Sequence, residues 1–257
     1  MIRRLREAER IRAILEKDRC WALYALGDLD PERFSHCEWF GLDDDDTLVL
    51  LYRGFDTCVL YAQGAADAID RILSHVDRPR ALQLHVRGEA LPAVEKSYAI
   101  RERRPMWRMI LPHQASVAPD VPGVVRLHAA DMEELTALYA DGLHHGESPD
   151  FFLPAMLETG VFYGVREQGR LTAAAGTHLV SSGAGVAAIG NIYTLRSKRG
   201  NGLGRRVTAA VLAETRMRGI PTIGLNVAQT NLSAVRLYEG LGFQKYCQFF
   251  EGLAEAR

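Results

Sequence analysis

The segment Arg199-Gly200-Asn201-Gly202-Leu203-Gly204 limits what this chain can fold into more than any other. Its alternate glycines stand between a strand-like run, Val186 to Leu195, and an amphipathic stretch, Gly202 to Arg218, whose apolar stripe is Leu203, Val207, Ala210, Val211 and Met217. A strand therefore passes through a glycine loop directly into a helix. Glycine lets backbone N–H groups come close to a phosphate, and the helix N-terminus adds positive dipole charge. Arg205 and Arg206 fall in the first helical turn, where that dipole opposes a cation unless something negative is bound. An anionic ligand removes the conflict, whereas a glycine turn without a ligand leaves it standing.

Spacing excludes two phosphate loops. A P-loop needs Gly-Lys-Ser/Thr after four intervening residues, which is missing, and a dinucleotide fingerprint starting at Gly200 needs glycine where Arg205 stands. What remains is Arg-x-x-Gly-x-Gly.

The flanking pattern predicts a mixed α/β sheet with helices on both faces. Val124 to Leu127 reads as a strand, Asp131 caps a helix to about Asp141, and a loop with His144, His145 and Glu147 leads to a helix near Asp150 to Leu157. Three strands follow, Val161 to Arg166, Leu171 to Val180 and Val186 to Leu195, separated by the turns Gln168-Gly169 and Ser181-Ser182-Gly183. After the Gly202 helix come a strand at Thr222 to Val227, a helix at Ser233 to Leu241 and a last strand at Phe243 to Phe250.

A chain of 257 residues accommodates two such units. Pro112, Pro119, Pro122 and Gly123 cluster between strand-like segments, so the predicted domains are 1–111 and 124–257. The first half repeats the order of the second: a helix at Arg6 to Lys17, strands at Glu38 to Gly41, Thr47 to Arg53 and Thr57 to Ala62, a helix at Ala65 to His75, a strand at Ala81 to Val86, a helix at Ala90 to Tyr98 and a strand at Ile100 to Leu111. At the phosphate-loop position it has Gln63-Gly64-Ala65-Ala66, without the triple glycine or the basic residues.

A net charge of -1 gives no reason to expect nucleic acid. No uncharged apolar run approaches the roughly 18 residues of a membrane span, and Met-Ile-Arg-Arg-Leu-Arg leads into a charged helix rather than an apolar signal. Cys20, Cys37, Cys58 and Cys247 lack paired metal-ligand spacing, which fits a reducing cytoplasm. Asp43 to Asp46 reads as a solvated turn tip, and no metal is assigned.

Taken with its flanks, the glycine loop resembles that of the GNAT superfamily of N-acetyltransferases, over about Val124 to Phe250. Asn191-Ile192-Tyr193-Thr194-Leu195 looks like the family's splayed strand, and Asn231 to Phe243 is similar to its Asn-x-x-Ala-x-x-Leu-Tyr-x-x-x-Gly-Phe signature. The resemblance implies tandem GNAT folds, the N-terminal copy degenerate and without a cofactor site. It implies acetyl-CoA as co-substrate, with Arg199, Gly200, Asn201, Gly202, Leu203, Gly204 and Arg205 around the pyrophosphate. Ile192, Tyr193 and Thr194 would line the pantetheine arm, Asn231 would hold it, and Tyr238 would protonate the leaving thiolate. The alternative role for Tyr238 is an amphipathic group packing the last helix.

The implied reaction is direct attack by a primary amine, of a small molecule or an amino terminus, on a positioned thioester. An alkylamine is mostly protonated at pH 7, so a proton acceptor is needed. Asn226 stands where members acting on ribosomal amino termini carry glutamate, and Asn191 likewise offers no carboxylate. His144, His145 and Glu147 are the available groups, with a solvated polar loop as their plain alternative. The competing function is an acyl-CoA-binding regulatory module without turnover. A homodimer is compatible with the sequence.

Overall fold

The computed structural model describes residues 1–43, 46–114, 122–149 and 152–257. Asp44 and Asp45 of the acidic tip, Pro119 of the proline cluster and Asp150 at the expected helix start lie outside the described residues. The chain order is β1 (Ile2–Leu5), α1 (Ala8–Glu16), α2 (Leu23–Gly27), α3 (Pro31–Phe34), β2 (Cys37–Leu42), β3 (Leu48–Tyr52), β4 (Cys58–Gln63), α4 (Ala66–Leu73), β5 (Ala81–Val86), α5 (Leu91–Ser97), β6 (Tyr98–Ile100) and β7 (Arg104–Leu111). It continues with β8 (Val125–Arg126), α6 (Met132–Leu143), α7 (Ala155–Thr159), β9 (Tyr163–Glu167), β10 (Arg170–Ser181), β11 (Val186–Thr194), α8 (Leu203–Met217), β12 (Thr222–Ala228), α9 (Leu232–Gly240) and β13 (Gln244–Ala256).

Contacts divide the chain into two units. One holds residues 1–108, 227–230 and 245–257, the other 109–226 and 231–244. This departs from the linear split into 1–111 and 124–257, because the last strand does not stay with the residues that precede it. β13 pairs antiparallel with β5, from Phe250↔Val86 to Glu255↔Ala81, and with β6. Expected to stop at Phe250, it extends to Ala256 because this ladder supplies partners for its backbone.

In the first unit the strands run β1-β2-β3-β4-β5-β13, with only β4 and β5 parallel among these neighbours. α4 and α5 cover one face through Ile69, Ile72, Leu91 and Val94, which join Leu60, Leu82 and Leu84 of the sheet. β1, α2 and α3 are too short to leave a readable period in the sequence.

The second unit repeats this order as β8-β9-β10-β11-β12, antiparallel except for β11 and β12. Every residue of β10 from Leu171 to Thr177 is buried, odd and even positions alike, so both sheet faces are covered. α6 packs on β10 and β11, and its Leu135, Leu138 and Tyr139 share a core with Phe162 and Tyr193. α8 packs on β9, β10 and β11 through Leu203, Val207 and Val211. The second helix of this half is α7, shorter than expected and displaced toward the C-terminus.

Candidate active site

A gap between two parallel strands organises the second unit. β11 pairs with β12 from Val186↔Thr222 to Ile189↔Leu225 and no further, although β11 continues to Thr194. On its other edge it stays with β10 through a bulge. Ala174 faces Tyr193 and Gly176 faces Gly190, so β11 fits two residues, Asn191 and Ile192, against the single Ala175. Asn191 takes φ 52, a left-handed conformation that asparagine tolerates. The Tyr139 hydroxyl donates to the Asn191 carbonyl at 2.8 Å, and Asn191 Nδ2 reaches Met156 Sδ at 3.5 Å. Asn191 is 4% exposed, and among the described residues its buried Oδ1 has no hydrogen-bond partner.

The half-buried ring of His178 lies over Gly190. A Cβ on Gly190 would sit 2.2 Å from His178 Nε2, so any side chain there would displace the ring. His178 itself stands at a second irregularity of β10, between Thr177 and Leu179.

Beyond Thr194 the chain makes a helical turn at Arg196–Lys198 and enters the glycine loop. Asp141 of α6 fixes the approach. Its Oδ2 accepts the Arg196 N–H at 3.1 Å and the Tyr193 hydroxyl at 2.9 Å. The Arg196 N–H, followed by Tyr193, holds the Asp141 carboxyl below its ordinary pKa. Gly200 (φ 81) and Gly202 (φ 72) both take left-handed conformations. The first helical bond at the start of α8 is Arg206 N to Gly202 O, 3.1 Å, so the N–H groups of Leu203, Gly204 and Arg205 stand ahead of the helical ladder. Asn201 Nδ2 folds back to the Lys198 carbonyl at 3.1 Å.

Strand, loop and last helix meet at Gly204. A Cβ there would lie 3.3 Å from both Thr194 Oγ1 and Leu237 Cδ1. Arg205 reaches the end of α9, its Nη1 2.9 Å from the Cβ position of Gly240. Arg206 turns instead to the carbonyl of Pro122.

α9 starts at Asn231, whose Oδ1 caps the helix by accepting the Ala234 N–H at 3.2 Å and the Ser233 hydroxyl at 3.0 Å. Tyr238 follows two turns later, 8% exposed and edge-on to Phe243 with centroids 6.1 Å apart. Among the described residues its hydroxyl has no hydrogen-bond partner, and burial raises its pKa, keeping the phenol protonated.

Every predicted site residue falls in the second unit. The gap in the sheet borders Ile192 and Thr194, and the loop from Arg199 to Arg205 stands at the helix start. Two side chains have other work. Tyr193 was expected to line the cofactor, but its ring is buried against Tyr139, 6.4 Å away, and its hydroxyl is on Asp141, which leaves its backbone for that role. The Asn231 oxygen is occupied by the helix cap.

Of the proton acceptors expected in the loop after α6, His144 and His145 are exposed, and Glu147 is ion-paired to Arg199 at 2.7 Å and to Arg196 at 3.8 Å. The hydrogen bond from Arg199 holds the Glu147 carboxyl below its usual range. Asp141 and His178 escaped the sequence reading. No motif marks Asp141, and the signal for His178, a glycine across the strand pair, becomes visible only with the register.

Residues 127–243 match the family model described as "Acetyltransferase (GNAT) family". The second unit belongs to the GNAT acetyltransferase family. The chain is similar to a mycothiol acetyltransferase of Thermobispora bispora, 30% identical over 194 residues, which cover 68% of this chain and 62% of that protein. The chain thus spans less than two thirds of that relative. Among solved structures, a GNAT-family protein from Novosphingobium aromaticivorans superposes with a TM-score of 0.60 at 25% identity, over 81% of this chain and 88% of that one. A tandem GNAT protein from the clavulanic acid biosynthesis pathway shares the fold, with a TM-score of 0.56 at 14% identity over 100% and 98% of the two chains. Among the described residues no helix is long and apolar enough to cross a membrane, and no group of three or more His, Cys, Asp or Glu is placed to hold a metal ion.

Proposed function

We propose that the second unit is an N-acetyltransferase domain that binds acetyl-CoA and transfers the acetyl group to a primary amine by direct attack. The observation that carries this reading is the parting of β11 from β12 after Ile189 and Leu225. It leaves a backbone edge from Gly190 to Thr194, bulged at Asn191, leading to the glycine loop at the start of α8. That edge suits a pantetheine arm added like a strand, and the free N–H groups of Leu203 to Arg205 suit a pyrophosphate.

Arg199 and Arg205 supply charge on either side of the loop. With no hydrogen-bond partner among the described residues, the Tyr238 hydroxyl fits a general acid, which must give its proton to the thiolate rather than share it with a protein acceptor. The protein otherwise acts by holding amine and thioester together and polarising the carbonyl.

The likeness to a mycothiol acetyltransferase makes an acceptor of the mycothiol type one member of the panel to test, beside simple alkylamines and peptide amino termini. Thiol release from acetyl-CoA is measured across that panel, and the acetylated product is identified by mass. Saturable transfer to at least one amine is expected. Cofactor binding without transfer to any amine sinks the enzyme and leaves the regulatory module.

A further inference from the structure

The reaction needs a group that accepts a proton from the incoming ammonium, and the carboxylates expected to serve are absent or engaged. Asn191 and Asn226 are amides, Glu147 is tied to Arg199, and Asp141 holds the turn before the glycine loop. Among the described residues, a titratable side chain that the sequence reading did not weigh stands at the parting point, His178. Its imidazole is half-buried and lies directly over Gly190, the first residue beyond the last β11–β12 pair. The next residue, Asn191, has a buried Oδ1 with no hydrogen-bond partner among the described residues. A buried orphan acceptor is costly unless a donor arrives to satisfy it.

We propose that His178 is the general base for the acceptor amine and that Asn191 Oδ1 receives one of that amine's N–H groups, an assignment that rests on the acetyltransferase reading above. Imidazole is suited to the task, because one of its two ring nitrogens can accept a proton while the other donates. The ammonium gives one proton to an imidazole nitrogen, and the freed amine attacks the thioester carbon. The C–S bond breaks and the thiolate takes the Tyr238 proton. The second proton shed by the nitrogen as the amide forms replaces the one lost by Tyr238, and His178 releases its own to solvent. The sum is ammonium plus acetyl-CoA giving amide, CoA thiol and one proton. The acceptor class that follows is a primary alkylamine that arrives protonated.

The test uses the full chain, His178→Gln and His178→Ala, acetyl-CoA and two acceptors: the best alkylamine from the panel and a weakly basic amine of similar size that is unprotonated at pH 7. His178→Gln is expected to lose about 10²–10⁴-fold in kcat with the alkylamine and less than tenfold with the weakly basic amine, at unchanged acetyl-CoA affinity. Added imidazole should restore part of the alkylamine rate to His178→Ala. Loss of both variants to misfolding would be visible as loss of acetyl-CoA binding, and would overturn the assignment in favour of a packing role for the ring. Equal losses with the two amines, or a His178→Gln enzyme within threefold of wild type, overturn it as well. A wild-type protein that acetylates nothing overturns the acetyltransferase reading itself, whereas an active wild type with an active His178→Gln removes only the base.

Discussion

The two units share an order of elements and differ in what they do at the same place, the end of the parallel strand pair. In the second unit β11 runs on past Ile189, bulges at Asn191 and leaves an open edge. In the first, β4 pairs with β5 as far as Tyr61↔His85 and then meets a plug. Trp21, 0% exposed, donates its indole N–H to the Ala62 carbonyl at 3.2 Å, the kind of backbone group that a pantetheine arm would use. Its ring stacks on Tyr61 and His85, at 5.3 and 5.2 Å.

Arg108 is fully buried beside it, over the rings of Tyr24, Trp21 and Phe249, and pairs through Nη2 with His85 Nε2 at 2.8 Å. Burial, and then the Arg108 charge, keep His85 well below its ordinary pKa and therefore neutral. The loop that follows has one left-handed glycine, Gly64, where the second unit has two, and Ala65 at the N-cap of α4 offers no side-chain cap. One framework thus leaves the strand edge unpaired in the second unit and covers the same place with aromatic rings in the first.

The largest expected effect tests the open side. Tyr238→Phe keeps the ring against Phe243 and removes only the hydroxyl. Acetyl-CoA affinity should hold, while turnover on the best amine falls about 10²–10⁴-fold, the range for a positioned general acid. A fall of less than threefold would mean that water protonates the thiolate and that Tyr238 is a packing group.

Next comes the closed side. Trp21→Ala removes a fully buried indole and its hydrogen bond, and should destabilise the first unit by about 3–5 kcal/mol in urea unfolding. Calorimetry on the wild-type chain should count one acetyl-CoA per chain, because the plug and the short loop leave the first unit without a cradle. A count of two would break the contrast between the units.

The sequence carried the second unit better than the first for a physical reason. A phosphate loop is built from local backbone geometry, so Gly200 and Gly202 announce it, and an N-cap and its helix announce themselves at Asn231. The plug is made of residues brought together from Trp21, Tyr61, His85, Arg108 and Phe249, which no local pattern connects. The return of β13 to the first sheet was hidden likewise, since an alternating strand does not declare its neighbour. The ring of His178 over Gly190 depends on the bulged register, and the capture of Glu147 by Arg199 spans 52 residues.

Gly202→Val sharpens the comparison at the loop. Nothing lies within 4 Å of a Cβ at this position, so a clash inside the protein is not the issue. The strain comes from φ 72, which valine tolerates at a cost of about 1–3 kcal/mol, and from a side chain placed where phosphate oxygens would approach. Acetyl-CoA affinity should fall roughly five- to 150-fold on strain alone, with the unfolding of the first unit unchanged. Unaltered affinity in isothermal titration would show that the pyrophosphate lies elsewhere.

The smallest effect concerns what occupies the loop before the cofactor does. Arg199 donates to the Glu147 carboxylate at 2.7 Å and lies over the Tyr193 ring at 5.6 Å, so a phosphate must compete with Glu147 for the same guanidinium. Both partners are partly exposed, with solvent screening the attraction. Glu147→Gln should therefore tighten acetyl-CoA binding by only about two- to fivefold, and less at high salt. The sign of the pH dependence follows from the Arg199 hydrogen bond, which lowers the Glu147 pKa in the folded state. The carboxylate stays ionised from pH 8 down past the ordinary glutamate value of about 4.3. The ion pair is thus fully present above that value and is lost as pH falls through the depressed pKa. The gain from Glu147→Gln should accordingly be flat between pH 6 and 8. Weaker binding by Glu147→Gln would instead mean that Glu147 orients Arg199 toward the phosphates and helps to hold the cofactor.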